Sequence, residues 1–346
     1  MSNEITVHEA LAMPGAKLID VRSELEFAEA TLPGAFNIPL LRDEERATVG
    51  TAYKHEGVDI ARRYGLNFVA PRLPQLVQQF REISGESPLV VFCWRGGMRS
   101  KSMCSVLESV GIPVYRLIGG YKAYRRYVNE YLDRPLPHEV VVIHGLTGVG
   151  KTELLQELRQ MELPSVDLEG LASNRGSVFG QIGLEPQPSQ KMFDGLLVRE
   201  LAFWESVGYI IVECESKRIG RIVLPESLVH GMRSAVRILA YSSVEARTER
   251  IIRIYGGNSD KNLEDLKAAV SSLIQRLGRN KVAELNEMLD NGDINQVVQF
   301  LLISSYDPLY KYPSQPSNEY DLSVNTDDIK TAAEKIKDFL RAKKPR

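Results

Sequence analysis

The stretch EVVVIHGLTGVGKTELL (residues 139–155) decides the fold of the C-terminal part of this chain. A run of β-branched residues, EVVVIH (139–144), reads as a buried strand. It breaks into a glycine loop and then into an amphipathic helix from about Lys151. The loop satisfies G-x-x-x-x-G-K-[ST] with Gly145, Gly150, Lys151 and Thr152, and Gly148 adds a further flexible point. Glycines let successive amides curl around oxyanions, and the helix N-terminus adds positive potential. Lys151 would reach the terminal phosphates, and Thr152 would ligate Mg²⁺ where one is present. The loop does not name its ligand: ATP, GTP, another diphosphate or a nucleic-acid phosphate presents similar oxygens.

Downstream, PSVDL (164–168), YIIVEC (209–214), VRILAY (236–241) and YDLSV (320–324) read as further strands separated by helical stretches. That alternation predicts a parallel sheet with crossover helices. Residues 260–303 read as helical throughout, and 330–343 as a final basic amphipathic helix. An acid at the end of a neighbouring strand usually organises Mg²⁺ beside such a loop. Glu213 and Glu215 offer one choice, and Asp167 and Glu169, with Arg175 nearby, offer another. Each carboxylate reads equally as a surface charge or a helix cap.

The first part of the chain alternates in the same way. AKLIDV (16–21), SPLVVF (87–92) and IPVYRLI (112–118) are strand candidates. Between the last two, 99–111 reads as a helix closed by Gly111, with Met103, Val106, Leu107 and Val110 on one face. LDRPLPHE (132–139), with two stiff prolines, marks a boundary. The expected organisation is a first domain over 1–132, a linker over 133–138 and a second domain over 139–346.

VFCWRGGMRSK (91–101) places a cysteine where a strand ends and a helix begins. Loop amides, the helix N-terminus and the cations Arg95 and Arg99 would stabilise a thiolate, while Gly96 and Gly97 permit the curl and Ser100 follows in the first turn. Cys93 is therefore the candidate nucleophile. Cys104 and Cys214 read as small structural hydrophobes. Three cysteines without metal-ligand spacing indicate neither a disulfide framework nor a zinc site.

The 346 residues are 43% hydrophobic and 25% charged, with 43 basic against 45 acidic residues and a formal net charge of −2. Overall charge therefore predicts no polyanion partner. Residues 93–126, however, hold seven basic residues and one acid, and 216–253 hold eight against three, which suggests focused anion binding. The N-terminal residues lack the pattern of a signal peptide and no run of 18 apolar residues occurs, so a cytoplasmic enzyme without a membrane span is expected.

LIDVRSELEFAEATLPGAFNIPL (18–40), CWRGGMRS (93–100) and RLIGGYKAYRR (116–126) resemble rhodanese domains. Many sulfur-transferring rhodaneses carry an arginine five residues after the cysteine, whereas Arg99 is six after Cys93. That longer spacing is similar to rhodanese-like phosphatases, whose loop cradles a tetrahedral phosphate. Thr31 stands where rhodaneses usually carry histidine.

The pairing of the two domains resembles the tRNA 2-selenouridine synthase family. The likeness extends to ERATVGTAYKHEG (45–57), DLEGLASNRGSVFG (167–180), ECESKRIG (213–220) and YDPLYKY (306–312). Asn174 stands where that family is expected to have histidine. The resemblance implies an α/β chain, with an N-terminal rhodanese-like domain followed by a P-loop NTPase-like parallel-sheet domain and a helical C-terminal part. It implies replacement of sulfur by selenium in the wobble 2-thiouridine of tRNA, through S-geranylation from geranyl diphosphate and then selenation by selenophosphate. No tightly bound cofactor is expected beyond an optional Mg²⁺. Cys93 would take the selenium or direct its delivery; shared diphosphate geometry suggests the P-loop for the geranyl diphosphate, with a nucleotide as the alternative ligand. Lys122, Arg125, Arg126, Lys217, Arg218 and Arg221 would grip the anticodon arm, and a transient contact with selenophosphate synthetase is implied. Tyr121, Tyr124 and Tyr127 could stack on unpaired bases or pack between domains. Three rival readings remain: a persulfide-carrying sulfurtransferase fused to an ATPase, a rhodanese-like phosphatase, and a non-catalytic tRNA-binding module, against which both intact loops argue.

Overall fold

The computed structural model describes residues 3–175, 185–255, 260–310 and 312–343. The chain forms two units, one of Met1–Tyr131 with Pro188–Val198, the other of Leu132–Gln187 with Arg199–Arg346.

The N-terminal unit is built on five strands: β1 (Asn3–Ile5), β2 (Lys17–Asp20), β3 (Phe36–Asn37), β4 (Leu89–Phe92) and β5 (Val114–Leu117). Their order is β1-β5-β4-β2-β3, and every pairing is parallel. Strand β4 is central and buried on both faces, which explains its unbroken apolar run LVVF. Its core mates include Ile19, Val21, Phe80, Met103, Cys104 and Leu107. The helix Met98–Ser109 buries Met103, Cys104 and Leu107, but Val110 lies at its C-cap and is exposed. The face expected to include Val110 therefore ends one turn earlier, because the chain leaves the helix through Gly111 in a left-handed conformation.

Pro188–Val198 packs with this unit through Arg125, whose guanidinium donates to Asp194 at 3.1 Å and to the Lys191 carbonyl at 3.0 Å. Ser189 Oγ donates to the Glu29 carbonyl at 2.5 Å.

The C-terminal unit is organised around a second all-parallel sheet. Its strands are β6 (Glu139–His144), β7 (Ser165–Val166), β8 (Tyr209–Glu213), β11 (Val236–Tyr241) and β12 (Leu322–Asn325), in the order β12-β11-β6-β8-β7. Between them in sequence, β9 (Arg218–Ile219) and β10 (Ile222–Val223) form a short antiparallel hairpin. The helices Lys151–Gln160 and Ile329–Lys343 close one core with Leu154, Leu158, Ala333 and Ile336 against β6 and β11.

A second apolar cluster joins the helices of residues 244–310 through Val270, Leu285, Leu289 and Leu301. The stretch 260–303 is not one continuous helical run. It divides into Asp260–Ser272, Ile274–Leu277, Arg279–Asp290 and Ile294–Leu301, with breaks where Gly278 and Gly292 take φ of +81° and +86°. No helix among the described residues is long and apolar enough to cross a membrane.

Candidate functional site

In the N-terminal unit, β4 delivers Cys93 to a tight loop that closes at Gly97, the N-cap of the helix Met98–Ser109. The loop is held from below by the turn after β5. The Cys93 carbonyl accepts the Tyr121 amide at 2.9 Å and the Trp94 carbonyl accepts the Lys122 amide at 2.9 Å. Gly96 and Gly120 have positive φ and press backbone to backbone. A Cβ on Gly96 would strike the Leu117 carbonyl, and one on Gly120 would strike that of Cys93. Only glycine lets these two turns approach so closely.

Cys93 is 3% exposed, and its Sγ lies 3.3 Å from Ser100 Oγ. Arg95 and Gly97 are exposed, whereas Gly96 and Ser100 are buried. Arg99 is turned to Glu26, to which it donates at 2.6 and 3.3 Å. Burial disfavours the Arg99 charge, but Glu26 outweighs it and holds the guanidinium above its ordinary pKa. Burial likewise disfavours the Glu26 carboxylate, yet Arg99 and Arg46 hold it below the usual range.

Beneath the loop, Asp20 and Arg22 form an enclosed pair at 2.6 Å, 0% and 2% exposed. Thr31, at the position where a histidine was expected, donates its hydroxyl to Asp20 at 2.8 Å. Arg22 lies 4.1 Å from the centre of the Tyr121 ring. Tyr121 and Tyr124 are buried within this unit, and Tyr124 donates to the Gly195 carbonyl at 3.3 Å. They are therefore core residues, not stacking platforms for bases. Tyr127 packs edge-on to His8.

In the C-terminal unit, the loop after β6 lines a cleft of about 550 Å³ with Gly145, Gly148, Gly150, Lys151 and Thr152. Lys151 Nζ donates to the Gly145 carbonyl at 3.1 Å. The loop's other carbonyls are tied away by distant residues. Arg247 Nε donates to Thr147 O at 2.8 Å, Arg250 to Gly148 O at 3.0 Å, and Thr326 Oγ1 to Val149 O at 2.6 Å. Arg247 is anchored in turn on Asp307 at 2.5 Å, and Arg250 on Glu153 at 2.8 Å. Both arginines belong to the basic segment 216–253, expected to attract anions; in the fold they are clamps on the loop. Their signal in the sequence is spacing alone, two cations one turn apart on the helix Val244–Tyr255.

The far wall carries Glu169, Asn174, Arg175, Glu215, Arg218, Tyr310 and Tyr312. Asp167 caps the short helix Leu168–Leu171 by accepting the Gly170 amide at 2.7 Å, and Glu213 accepts the Glu169 amide at 2.6 Å. Burial pushes the carboxyls of Asp167 and Glu213 up, and the charge of Asp167 adds to the rise for Glu213. Glu215 is pushed up to about 8, by burial first and then by Glu169. Among the described residues no three His, Cys, Asp or Glu side chains converge as a metal site. A Mg²⁺ held by Thr152 and one of these carboxylates would take its remaining ligands from phosphate oxygens and water.

Cys214, expected to be a structural hydrophobe, reaches this cleft, with Sγ 3.2 Å from the Tyr312 hydroxyl. Cys104 is fully enclosed, and burial raises its thiol to about 12. Of the cations assigned to RNA, Lys122 and Arg126 are exposed, and Arg218 is exposed beside the cleft. Lys217 pairs with Glu226, and Arg221 donates to the Gln187 carbonyl. The part of the quoted segment 167–180 beyond Arg175 lies outside the described residues.

These two units define a class: a rhodanese-like domain with a thiol loop, followed by a P-loop domain of parallel strands. Comparison narrows the class. A model of the tRNA 2-selenouridine synthase AAA domain matches residues 138–344, and a rhodanese-like domain model matches residues 6–127. A tRNA 2-selenouridine synthase from Hydrogenovibrio crunogenus is 32% identical over 93% of this chain and 96% of its own length. One from Psychromonas ingrahamii is 30% identical, covering 89% and 91%. One from Nitrosomonas europaea is 37% identical over 71% of this chain and 65% of that relative. The chain belongs to the tRNA 2-selenouridine synthase family.

Proposed function

We propose that this protein is a cytoplasmic enzyme that replaces sulfur by selenium in the wobble 2-thiouridine of tRNA, with one half-reaction assigned to each loop. The observation that carries this reading is the carbonyl clamp of the C-terminal unit. By holding the carbonyls of Thr147, Gly148 and Val149, the clamp leaves the cleft lined by Lys151 and the helix N-terminus, which suit a diphosphate. That ligand is taken to be geranyl diphosphate. Displacement of diphosphate by the thiocarbonyl sulfur gives an S-geranyl base, which turns a poor leaving group into a departing thiol and makes C2 electrophilic.

In the second half Cys93 directs selenium delivery. Its thiolate attacks phosphorus of selenophosphate, the P–Se bond breaks, and hydrogen selenide leaves. Selenide attacks C2, the C2–S bond breaks with its electron pair on sulfur, and geranyl thiol departs with a proton. Water then hydrolyses the S-phosphocysteine to phosphate and free thiol, in line with covalent catalysis by an activated cysteine. Ser100, 3.3 Å from Cys93 Sγ, is placed to donate to the returning thiolate. Direct transfer of selenium onto sulfur would expel phosphite instead, so phosphorus NMR of the product separates the two routes.

The exposed cations Lys122, Arg126 and Arg218 would meet the RNA backbone. The assignment is tested by mass spectrometry of nucleosides from 2-thiouridine tRNA incubated with geranyl diphosphate and selenophosphate. Lys151→Ala should lose geranylation, and Cys93→Ser should accumulate S-geranyl tRNA. Geranylation that survives in Lys151→Ala sinks the diphosphate assignment.

A further inference from the structure

The N-terminal unit has an opening that the thiol chemistry leaves unused. An apolar groove of about 580 Å³ runs between the helices Asp43–His55 and Val58–Val69 and the face of Met98–Ser109 that carries Met98, Ser102 and Val106. Tyr53, Val58, Leu66 and Met98 on its walls are all more than 40% exposed. Large side chains gathered around a concavity and left to water mark a ligand site more often than a bare surface.

The charges of the groove are cations. Arg62, with Nε 3.5 Å from Met98 Sδ, and Arg99 belong to its lining. Arg62 also pairs with Asp59 at 3.2 Å, in an exposed contact that water screens. The position is equally informative. Met98 and Arg99 form the first turn of the helix that the Cys93 loop enters, so the groove starts where the thiol loop ends.

We infer that this groove holds the hydrocarbon chain of the S-alkylated base while selenium is delivered at the thiol loop; the inference rests on the S-geranyl reading above. An apolar bed complements a branched hydrocarbon, and Arg62, whose exposed pair with Asp59 is screened by water, offers charge to the anionic polymer it is joined to. A chain seated there would place C2 of the base toward the Cys93 loop and keep the departing thiol's chain away from water. The same bed offers nothing to an unalkylated thiocarbonyl, so the groove would discriminate between the two states of the base.

The test uses the full-length protein and two anticodon stem-loop RNAs, one with S-geranyl-2-thiouridine and one with 2-thiouridine. The double variant Val58→Thr/Leu66→Gln makes two exposed walls polar without adding charge. Wild type should bind the geranylated RNA more tightly. The variant should lose about tenfold of that affinity, or 1.4 kcal/mol, and bind 2-thiouridine RNA unchanged. Equal losses for both RNAs, or none, overturn the inference. So does a variant whose only change is from oligomer to monomer in sedimentation, since the groove would then be a self-association face. Because the geranylated RNA is supplied ready-made, the reading beneath is scored separately. Wild type that cannot convert it to selenouridine with selenophosphate refutes the S-geranyl route. Conversion at wild-type rate and affinity by the variant refutes only the groove.

Discussion

Replacement of Thr326 by valine removes one hydroxyl from the clamp on the phosphate loop while keeping the side chain's shape. Thr326 is fully buried, and its hydroxyl, 2.6 Å from Val149 O and 3.0 Å from Tyr241 O, supplies a single proton to the pair. Losing that bond costs roughly 0.5–1.5 kcal/mol net, and a buried carbonyl left unsatisfied costs about 1–3 kcal/mol. The two ranges overlap in what they count, so the expected loss is about 2 kcal/mol. At roughly 2–4 °C per kcal/mol for a unit of this size, the melting transition of the C-terminal unit should fall by about 4–8 °C. The freed Val149 carbonyl can then turn toward the cleft, where it would face the oxyanions of the proposed diphosphate. Affinity for inorganic diphosphate, measured by titration calorimetry, should fall about tenfold, which is 1.4 kcal/mol. Thr326→Ser keeps the donor and should keep most of both quantities. A Thr326→Val protein that melts and binds like wild type would show that the loop's shape does not depend on this clamp.

The cleft carboxyl Glu215, with a pKa pushed up from 4.5 to about 8, is protonated in the folded protein over a range where the unfolded chain has lost the proton. Its contribution therefore falls as pH rises from about 4.5 to about 8 and levels off above. Glu215→Gln should flatten that slope in denaturant titrations, and diphosphate affinity in the wild type should weaken above pH 8 as the carboxylate appears. Glu26 has the opposite sign. Its folded pKa is lowered, so its stabilising effect is present above pH 4.5 and disappears as pH falls through the folded value, a loss that Glu26→Gln should not show. Asp20→Ala strips the partner from an enclosed Arg22 and an acceptor from Thr31, and should destabilise the N-terminal unit by about 3–5 kcal/mol in urea unfolding. Near-normal stability in that variant would mean Arg22 is satisfied by the Ala30 carbonyl alone, to which it already donates at 2.6 Å.

Elements buried on both faces were legible because a strand with no wet face has little choice but a continuous apolar run. Strands β4, β6, β8 and β11 all announced themselves in this way. Strands β1 and β3 did not, being three and two residues long at the edges of their sheet, and the β9–β10 hairpin is equally short. The two glycine loops were legible because tight backbone turns with positive φ need glycine at fixed steps. What sequence could not supply was the destination of each arginine. Counting cations along 93–126 and 216–253 treated them as one surface population, yet Arg99 meets Glu26, Arg116 meets Glu4 and the Gly96 carbonyl, Arg125 meets Asp194, and Arg247 meets Asp307. Each acidic partner lies at least 60 residues away, while the Gly96 carbonyl is 20 residues from Arg116. A guanidinium beside a tight loop can attract the ligand directly or hold the loop's carbonyls so that its amides do so. Both uses produce the same local composition, and only the fold tells them apart. For Arg247 and Arg250 the second use prevails, since each is nearly buried and donates to a loop carbonyl. An anion bound in this cleft would thus owe part of its affinity to cations that need not touch it. The same reasoning applies to Arg99: its bond to Glu26 fixes the first turn of the helix behind Cys93, so an incoming phosphate at the thiol loop would turn to exposed Arg95.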